Sequence, residues 1–389
     1  MIDVQQAVEL LDRTFKAGQQ QELPLREARG SYLAQSVVAD RDFPSSDRSA
    51  MDGYALRAED SGARRVVGEI QAGADPAKLQ IGAGEACRIF TGATLPVGAD
   101  AVVMVEHCDE QGETVTVPET IEPGQHVRHR ASDRPGGAPL LEQGRRIGAG
   151  EIAALASVGC DPVAVFRQPT IAVLSTGDEL VPPHVAPQPY QIRDSNAPMV
   201  ASLFAAHGFK VVSQQSVGDD REALRAAILE GLKAELLVVS GGVSVGDYDF
   251  VAAEFEAAGI EKLFHGMAMK PGKPIYAGRR GARAIFGLPG NPLSAYVGTT
   301  LFALPIAKRL AGAADPWPQT RQATLTGALR QRAGRQTYHP AKLDGDQVKP
   351  VRSTGSGDVL VLADLNAWIV LPAESSGAQE GDRVEVLPL

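Results

Sequence analysis

Apolar positions follow two rhythms along this chain, and the switches between them divide it. Over residues 3–17, Val4, Ala7, Val8, Leu11 and Phe15 recur at three- and four-residue steps, which predicts an amphipathic helix stopped at Gly18. A second short helical region is read within 20–41, from Glu27 through Val38. From Asp42 to about Asp133 the apolar runs shorten to β-type segments at 65–70, 86–90, 101–105 and 114–117, with turn signals such as Gln111-Gly112 and Pro123-Gly124 between them. That texture predicts a β-rich, mostly antiparallel lobe. Residues 134–160 return to loop and helix.

Between 168 and 310, strand and helix patterns alternate. Strands are predicted at 170–174, 209–213 and 236–240, and around 262–267, 274–278 and 283–287. Helices are predicted over 198–207, with Asp194, Ser195 and Asn196 as candidate caps, over 220–233 with Asp219 as its cap, and from Asn291-Pro292 along an apolar stretch to Leu310. Strands joined by crossover helices imply a three-layer α/β domain with a mostly parallel sheet. Beyond the linker at 311–318, strands near 322–329, 338–343, 347–351, 367–371 and 383–387 suggest a small β-barrel or sandwich.

The length of 389 residues agrees with several domains. Acidic residues outnumber basic ones, 47 to 38, for a net charge of −9, which argues against a general nucleic-acid-binding surface while leaving room for a local basic pocket. The apolar runs are too short to span a bilayer, and the first residues lack a signal-peptide pattern, so the cytoplasm and no membrane partner are expected. Cys87, Cys108 and Cys160 form no CxxC pair, which predicts free thiols and no structural zinc. Gly148-Ala149-Gly150-Glu151-Ile152-Ala153 fits a dinucleotide fingerprint in letters, but no buried strand precedes it, so a capped helix is expected.

Candidate chemistry gathers at the predicted carboxyl edge of the parallel sheet, where ligands bind in open α/β folds. The buried run at 236–240 breaks into Gly241-Gly242-Val243-Ser244-Val245-Gly246-Asp247-Tyr248-Asp249, glycines for backbone approach to an anion and acids for a hard cation. Thr176-Gly177-Asp178-Glu179 ends the first strand at the same edge, and Glu179 with Asp247 and Asp249 suits a shared Mg²⁺. Asn291-Pro292 opens a helix whose first N–H groups favour an anion. Lys270-Pro271-Gly272-Lys273-Pro274 places two lysines around a rigid turn, point charges suited to a phosphate or another oxyanion. In the β-rich lobe, residues 49–55 read as a tight turn carrying one acid, Asp52.

Taken together, SAMDGYAL (49–56), FTGATLPVGADAVVMVE (90–106), STGDEL (175–180), DSN (194–196), SGGVSVGDYD (240–249), MKPGKP (269–274) and LPGNPLSA (288–295) resemble the MoeA-like molybdopterin molybdenumtransferases, similar also to the E domains of gephyrin and Cnx1. The resemblance runs in order over essentially the whole chain. It implies a helical linker domain from 1–41 plus 134–160, a β-rich lobe at 42–133, an α/β molybdopterin-binding domain at 161–315 and a C-terminal β-barrel at 320–389. It implies a homodimer whose active site lies between the α/β domain of one subunit and the β-rich lobe of the other, and contacts with an adenylyltransferase and with cofactor-receiving proteins. The implied reaction takes adenylylated molybdopterin and molybdate, releases AMP and leaves molybdenum on the pterin dithiolene.

On that resemblance Asp52, Glu179, Asp249, Lys270 and Lys273 would be catalytic, with Glu179 and Asp249 organising Mg²⁺. Thr91, Gly92, Asp133, Asp219, Gly241, Gly242, Ser244, Pro289, Asn291, Pro292, Arg335 and Ser356 would contribute to substrate binding. Several positions depart from the family pattern. Arg193 stands where a tyrosine is usual, Asp133 lies in an altered segment, and Tyr338-His339-Pro340 follows Arg335 without a second arginine. Asp358 adds an acid after Gly355-Ser356-Gly357, which weakens an oxyanion site unless it points away. Two other readings are adenylyl transfer to molybdopterin, which the extra lobe and barrel argue against, and a non-catalytic scaffold, which the retained acids and lysines argue against.

Overall fold

The computed structural model describes residues 1–243 and 250–389. Its frame is three six-stranded sheets. The α/β sheet runs Val211–Val217, Ile171–Thr176, Leu236–Ser240, Arg283–Leu288, Tyr276–Arg280, Glu261–His265. The first four strands are mutually parallel, and Tyr276–Arg280 pairs antiparallel with both of its neighbours. Every residue of Ile171–Thr176 and Leu236–Ser240 is buried, as expected for strands covered on both faces.

Strand alternation then sorts the residues onto two cores. Ile171, Val173, Leu236 and Val238 face the helices Asn196–Ala206 and Pro292–Leu310 and the first helix, Val4–Thr14. Ala172, Leu174, Leu237 and Val239 face Arg221–Gly231 and Val251–Ala257. The apolar helix predicted to end at Leu310 is one continuous rod with a π-helical turn at Thr299–Ala303, just before Pro305, whose missing N–H an α-helical ladder would need.

The second predicted helix is not there. Within 20–41 only the single turn Leu25–Glu27 is helical; Gln20–Leu23 pairs with Val163–Phe166, and Val37–Val38 with Pro139–Leu141. Pro24 and Gly30, the latter at φ +87°, interrupt the local period, and Ala28 and Leu33 are buried against Val163, Val165 and Ile147 instead. Long-range pairing overrides a helical spacing of apolar residues. A smaller correction concerns the helix at 221: its cap is Asp220, which accepts the Ala223 N–H at 2.8 Å, not Asp219.

The β-rich lobe is ordered Ala101–Met104, Gly53–Leu56, Glu85–Ile89, Arg64–Ile70, Thr114–Thr116, Asp109–Gln111, antiparallel except between Arg64–Ile70 and Glu85–Ile89. In the C-terminal region Gln336–Asp344, Gln347–Pro350, Arg321–Leu325, Arg383–Pro388 and Ala367–Leu371 close on themselves, because the first strand also pairs with the last. A sixth strand joins this barrel from outside it: Met269–Lys270 pairs parallel with Gln336 and Thr337. The three cysteines are free, and among the described residues no helix is long and apolar enough to cross a membrane.

Candidate functional site

The carboxyl ends of the parallel strands open into a cleft of about 1320 Å³, roofed on its far side by the barrel. Ser175, Thr176 and Ser240, at the strand ends, and Gly242, Pro289 and Gly290, in the turns that follow, form its floor. Gly241 and Gly242 turn the chain sharply there with φ of +105° and +61°. A Cβ on Gly241 would lie 2.3 Å from the Thr176 carbonyl oxygen and one on Gly242 2.7 Å from Val251, so both positions admit only glycine.

Asn196 opens its helix beneath the cleft. Its Nδ2 donates to Ser240 Oγ at 2.9 Å and to the Gly290 carbonyl at 2.7 Å, which fixes the amide. Its Oδ1 is buried without a partner, and so is Ser175 Oγ. Two unsatisfied polar atoms at the floor of one cleft are costly in an empty protein and natural in a site completed by a polar ligand.

Both walls bring positive charge, from the α/β region and from the barrel. Lys270, Lys273, Arg193, Arg330 and Arg335 line the cleft against the acids Glu179 and Asp194. Asp194 is already committed, accepting the Asn196 and Ala197 N–H groups at 3.1 Å each and so capping the helix that Ser195 does not cap. In a chain of net charge −9 this concentration of cations is local design for an anion. His339 also lines the cleft. Burial pulls its imidazole below the usual histidine value and the Lys270 charge adds to that, while Nδ1 is taken by the Pro340 carbonyl at 2.9 Å. At neutral pH it therefore presents a neutral Nε2 rather than another cation.

Asn291 begins its helix, but its side chain does not cap it. Nδ2 instead donates to Ser356 Oγ at 3.0 Å, and the Leu293 N–H donates to the Ser356 carbonyl at 3.1 Å. The helix start is thus occupied by the barrel's 353–357 loop, which corrects the expectation of free first-turn N–H groups at Leu293. Asp358 points elsewhere: its carboxylate accepts the Thr354 N–H at 3.1 Å and hydroxyl at 3.3 Å and does not line the cleft.

A second cluster sits in the β-rich lobe. Gly53 lets its strand approach its neighbour closely, since a Cβ there would fall 1.9 Å from the Val103 carbonyl oxygen. Just before it, exposed Asp52 accepts both the N–H and the hydroxyl of Thr91, at 2.7 and 2.8 Å. These bonds hold the carboxyl below its ordinary pKa, with the nearby Arg88 charge a smaller contributor. The Arg88 guanidinium lies over the rings of Tyr54 and Phe90, 5.1 and 5.5 Å from their centres. Gly92, at φ +83°, completes the turn.

The chain was compared with known families and structures. Residues 2–159 match the MoeA N-terminal region (domain I and II), 172–309 the probable molybdopterin binding domain, and 322–389 the MoeA C-terminal region (domain IV). A molybdopterin molybdenumtransferase of Nostoc sp. is 37% identical over 100% of this chain and 90% of its own length. One of Staphylococcus aureus is 34% identical over 93% of this chain and 90% of its own. The chain belongs to the MoeA family. Two crystal structures described as molybdopterin biosynthesis MoeA protein from Pyrococcus horikoshii superpose with TM-scores of 0.84 and 0.86 at 31% and 25% identity, each over 100% of this chain. The MoeA-like protein is accordingly an enzyme of molybdenum cofactor biosynthesis, of the molybdopterin molybdenumtransferase type, with a multidomain α/β and β architecture.

Within this MoeA-family chain the cleft collects Glu179, Gly242, Lys270, Lys273, Pro289, Asn291, Pro292, Arg335 and Ser356 from the residues singled out in the sequence. Gly241 lies directly beneath it, and Asp219 is set behind its floor, accepting the Thr176 hydroxyl at 3.2 Å. Asp52, Thr91 and Gly92 form the separate cluster of the β-rich lobe, and Asp133 is an exposed partner of Arg128 at 2.5 Å. None of these four lines the cleft. Ser244, Asp247 and Asp249 lie outside the described residues. Ser175, Asn196 and Arg330 were not anticipated as site residues, although the first two fall inside quoted motifs. What marks them is a missing hydrogen-bond partner or a place on the barrel rim, and neither is a property of sequence.

Proposed function

We propose that the cleft binds adenylylated molybdopterin and molybdate and that the enzyme exchanges the adenylyl group for molybdenum. The observation that supports this reading is the pairing of a glycine floor bearing unsatisfied Ser175 Oγ and Asn196 Oδ1 with walls that carry lysines and arginines. Lys270, Lys273 and Arg335 hold oxyanions, molybdate or the phosphates of the substrate, and offset their charge. Backbone approach at Gly241-Gly242 and the Asn196 amide orient the pterin nucleotide.

In the reaction water attacks the pterin-side phosphorus of the pyrophosphate-type link, the bond from that phosphorus to the bridging oxygen breaks, and AMP leaves with the bridging oxygen and its electron pair. The dithiolene sulfurs bind the molybdenum of molybdate, and one of its oxygens departs as water with the two thiol protons. Asp52, exposed and held ionised by Thr91, is a base supplied to the cleft of a second subunit in a homodimer.

Magnesium fits the remaining chemistry. Among the described residues no group of three or more metal-binding side chains is assembled, and Glu179 is the cleft carboxylate left uncommitted. That suits an ion taking one or two carboxylates plus substrate phosphates and water. Glu179, with Asp249, would hold it, and it would supply charge neutralisation at the phosphoryl oxygens. The setting is the cytoplasm, with the adenylyltransferase upstream and cofactor-receiving proteins downstream as partners.

A defined assay tests the reading: purified protein, adenylylated molybdopterin, Mg²⁺ and molybdate, with AMP and molybdenum-bound pterin measured together. AMP release that ignores molybdate, or rapid adenylylation of free molybdopterin from ATP, would contradict it.

A further inference from the structure

A second cavity, about 620 Å³, lies away from the cleft where the 139–146 segment meets the end of the long apolar helix and the linker after it. Tyr32, Arg146, His207, Lys308 and Trp317 all face it. Lys308 is on the last turn of the helix Leu304–Leu310 and is only partly exposed. Among the described residues it has no ion-pair or side-chain hydrogen-bond partner, and Arg146 has one long bond, to the His207 carbonyl at 3.5 Å.

The acids nearby are spent or peripheral. Arg145 is clamped by Glu151. Asp315 accepts from the Trp317 N–H and from Gln319 Nε2. Glu142 is exposed. Burial and the Arg146 charge both push the Lys308 ammonium below its usual pKa. Burial first, then Lys308 and Arg146, does the same to His207, whose Nδ1 is used by the Leu203 carbonyl at 3.0 Å. The hydroxyl of half-buried Tyr32 also has no partner among the described residues.

Uncompensated cations turned into one cavity raise the free energy of the empty fold, because desolvation and like-charge repulsion act together. A bound anion removes both costs. We propose that this cavity is a second anion site that takes a phosphate group, with Lys308 and Arg146 as its charged ligands and the Tyr32 hydroxyl as a further donor. Its volume and the Trp317 wall accommodate either inorganic phosphate or the phosphate end of a mononucleotide.

The test is calorimetric titration of the full chain with inorganic phosphate and, separately, with AMP. Lys270→Ala/Lys273→Ala serves as the background, so that the oxyanion cleft is disabled. Phosphate should still bind once per chain, and adding Lys308→Met should weaken it at least tenfold, with Arg146→Gln acting in the same direction. Without anion, Lys308→Met should melt higher than its parent, which shows that lost binding is not lost folding, and phosphate should raise the melting temperature of the parent only. AMP binding at least tenfold tighter than phosphate makes the occupant a nucleotide; equal or weaker AMP binding makes it the phosphate group alone. Absence of phosphate binding in the cleft-disabled background, or binding unchanged by Lys308→Met, overturns the site.

Discussion

The cleft and the Asp52 turn meet their polar groups in opposite ways. In the cleft, side chains from distant segments converge and leave needs unmet: among the described residues Ser175 Oγ and Asn196 Oδ1 lack partners, and the cations outnumber the lining acids Glu179 and Asp194. At the Asp52 turn every bond is short in sequence or local in space, and the carboxylate is already satisfied by two donors from Thr91. The first arrangement is incomplete without a ligand. The second is complete and exposed, a carboxylate held out on a stiff turn. A site of the first kind calls for a ligand; under the proposed function, a group of the second kind serves a site that it does not itself contain.

The strongest way to break this contrast is Asp52→Ala. If the turn supplies a base to another subunit's cleft, insertion falls by roughly 10²–10⁴-fold, while AMP-nucleotide affinity and the melting temperature stay at the wild-type level. Full activity would reduce the turn to architecture. Next in size, Lys273→Ala should lower molybdenum insertion by about 10²-fold at limiting molybdate and recover partly at high molybdate; an unchanged dependence on molybdate would remove Lys273 from the oxyanion site.

Thr91→Val sharpens the comparison through pH. The Asp52 pKa is depressed because both Thr91 donors favour the ionised form, so its ionised form is retained as pH falls toward the depressed value. Removing the hydroxyl lets the pKa rise, and the acid limb of the insertion profile should move to higher pH with the plateau kept. The smallest effect is expected from Ser356→Ala. It deletes the hydroxyl that accepts from Asn291, a net loss of about 0.5–1.5 kcal/mol at most. A rise in KM of a few-fold with kcat unchanged would fit a residue that shapes the cleft; a large fall in kcat would not.

The sheet edge was legible because fully buried strands advertise themselves as unbroken apolar runs, and the loops after them then fall at one rim. Residues 170–174 and 236–240 did this clearly, and Glu179, Gly242 and Asn291 followed from them. The region at 20–41 misled because its helical spacing is a local property, whereas its pairing with Val163–Phe166 and Pro139–Leu141 is decided some hundred residues away. The choice between Asp219 and Asp220 as helix cap lay within the one-residue uncertainty of any end signal. The barrel's share of the site, Arg335 and Ser356, came from the family resemblance alone, because no periodicity reports which loop of a closed barrel faces another domain. The departure at Asp358 likewise needed coordinates, since only the Thr354 bonds show where that carboxylate goes.

The barrel is joined to the α/β sheet's segments at two separated stitches as well as through the chain. One is the strand Met269–Lys270 against Gln336 and Thr337; the other is Ser356 against Asn291 and Leu293. The space behind these stitches is filled: Tyr338, Trp368, Val370 and Leu387 of the barrel pack in one apolar core with Leu293, Phe302 and Ile306, and the Trp368 ring centre lies 5.9 Å from that of Tyr296. A seam tied at two points and backed by a common core resists relative movement, so the cationic rim is set at its distance from Ser175 and Asn196 before any ligand arrives. A pair of labels on Arg330 and Gln191 should therefore read one separation with and without ligand, and a change on binding would show that the seam opens.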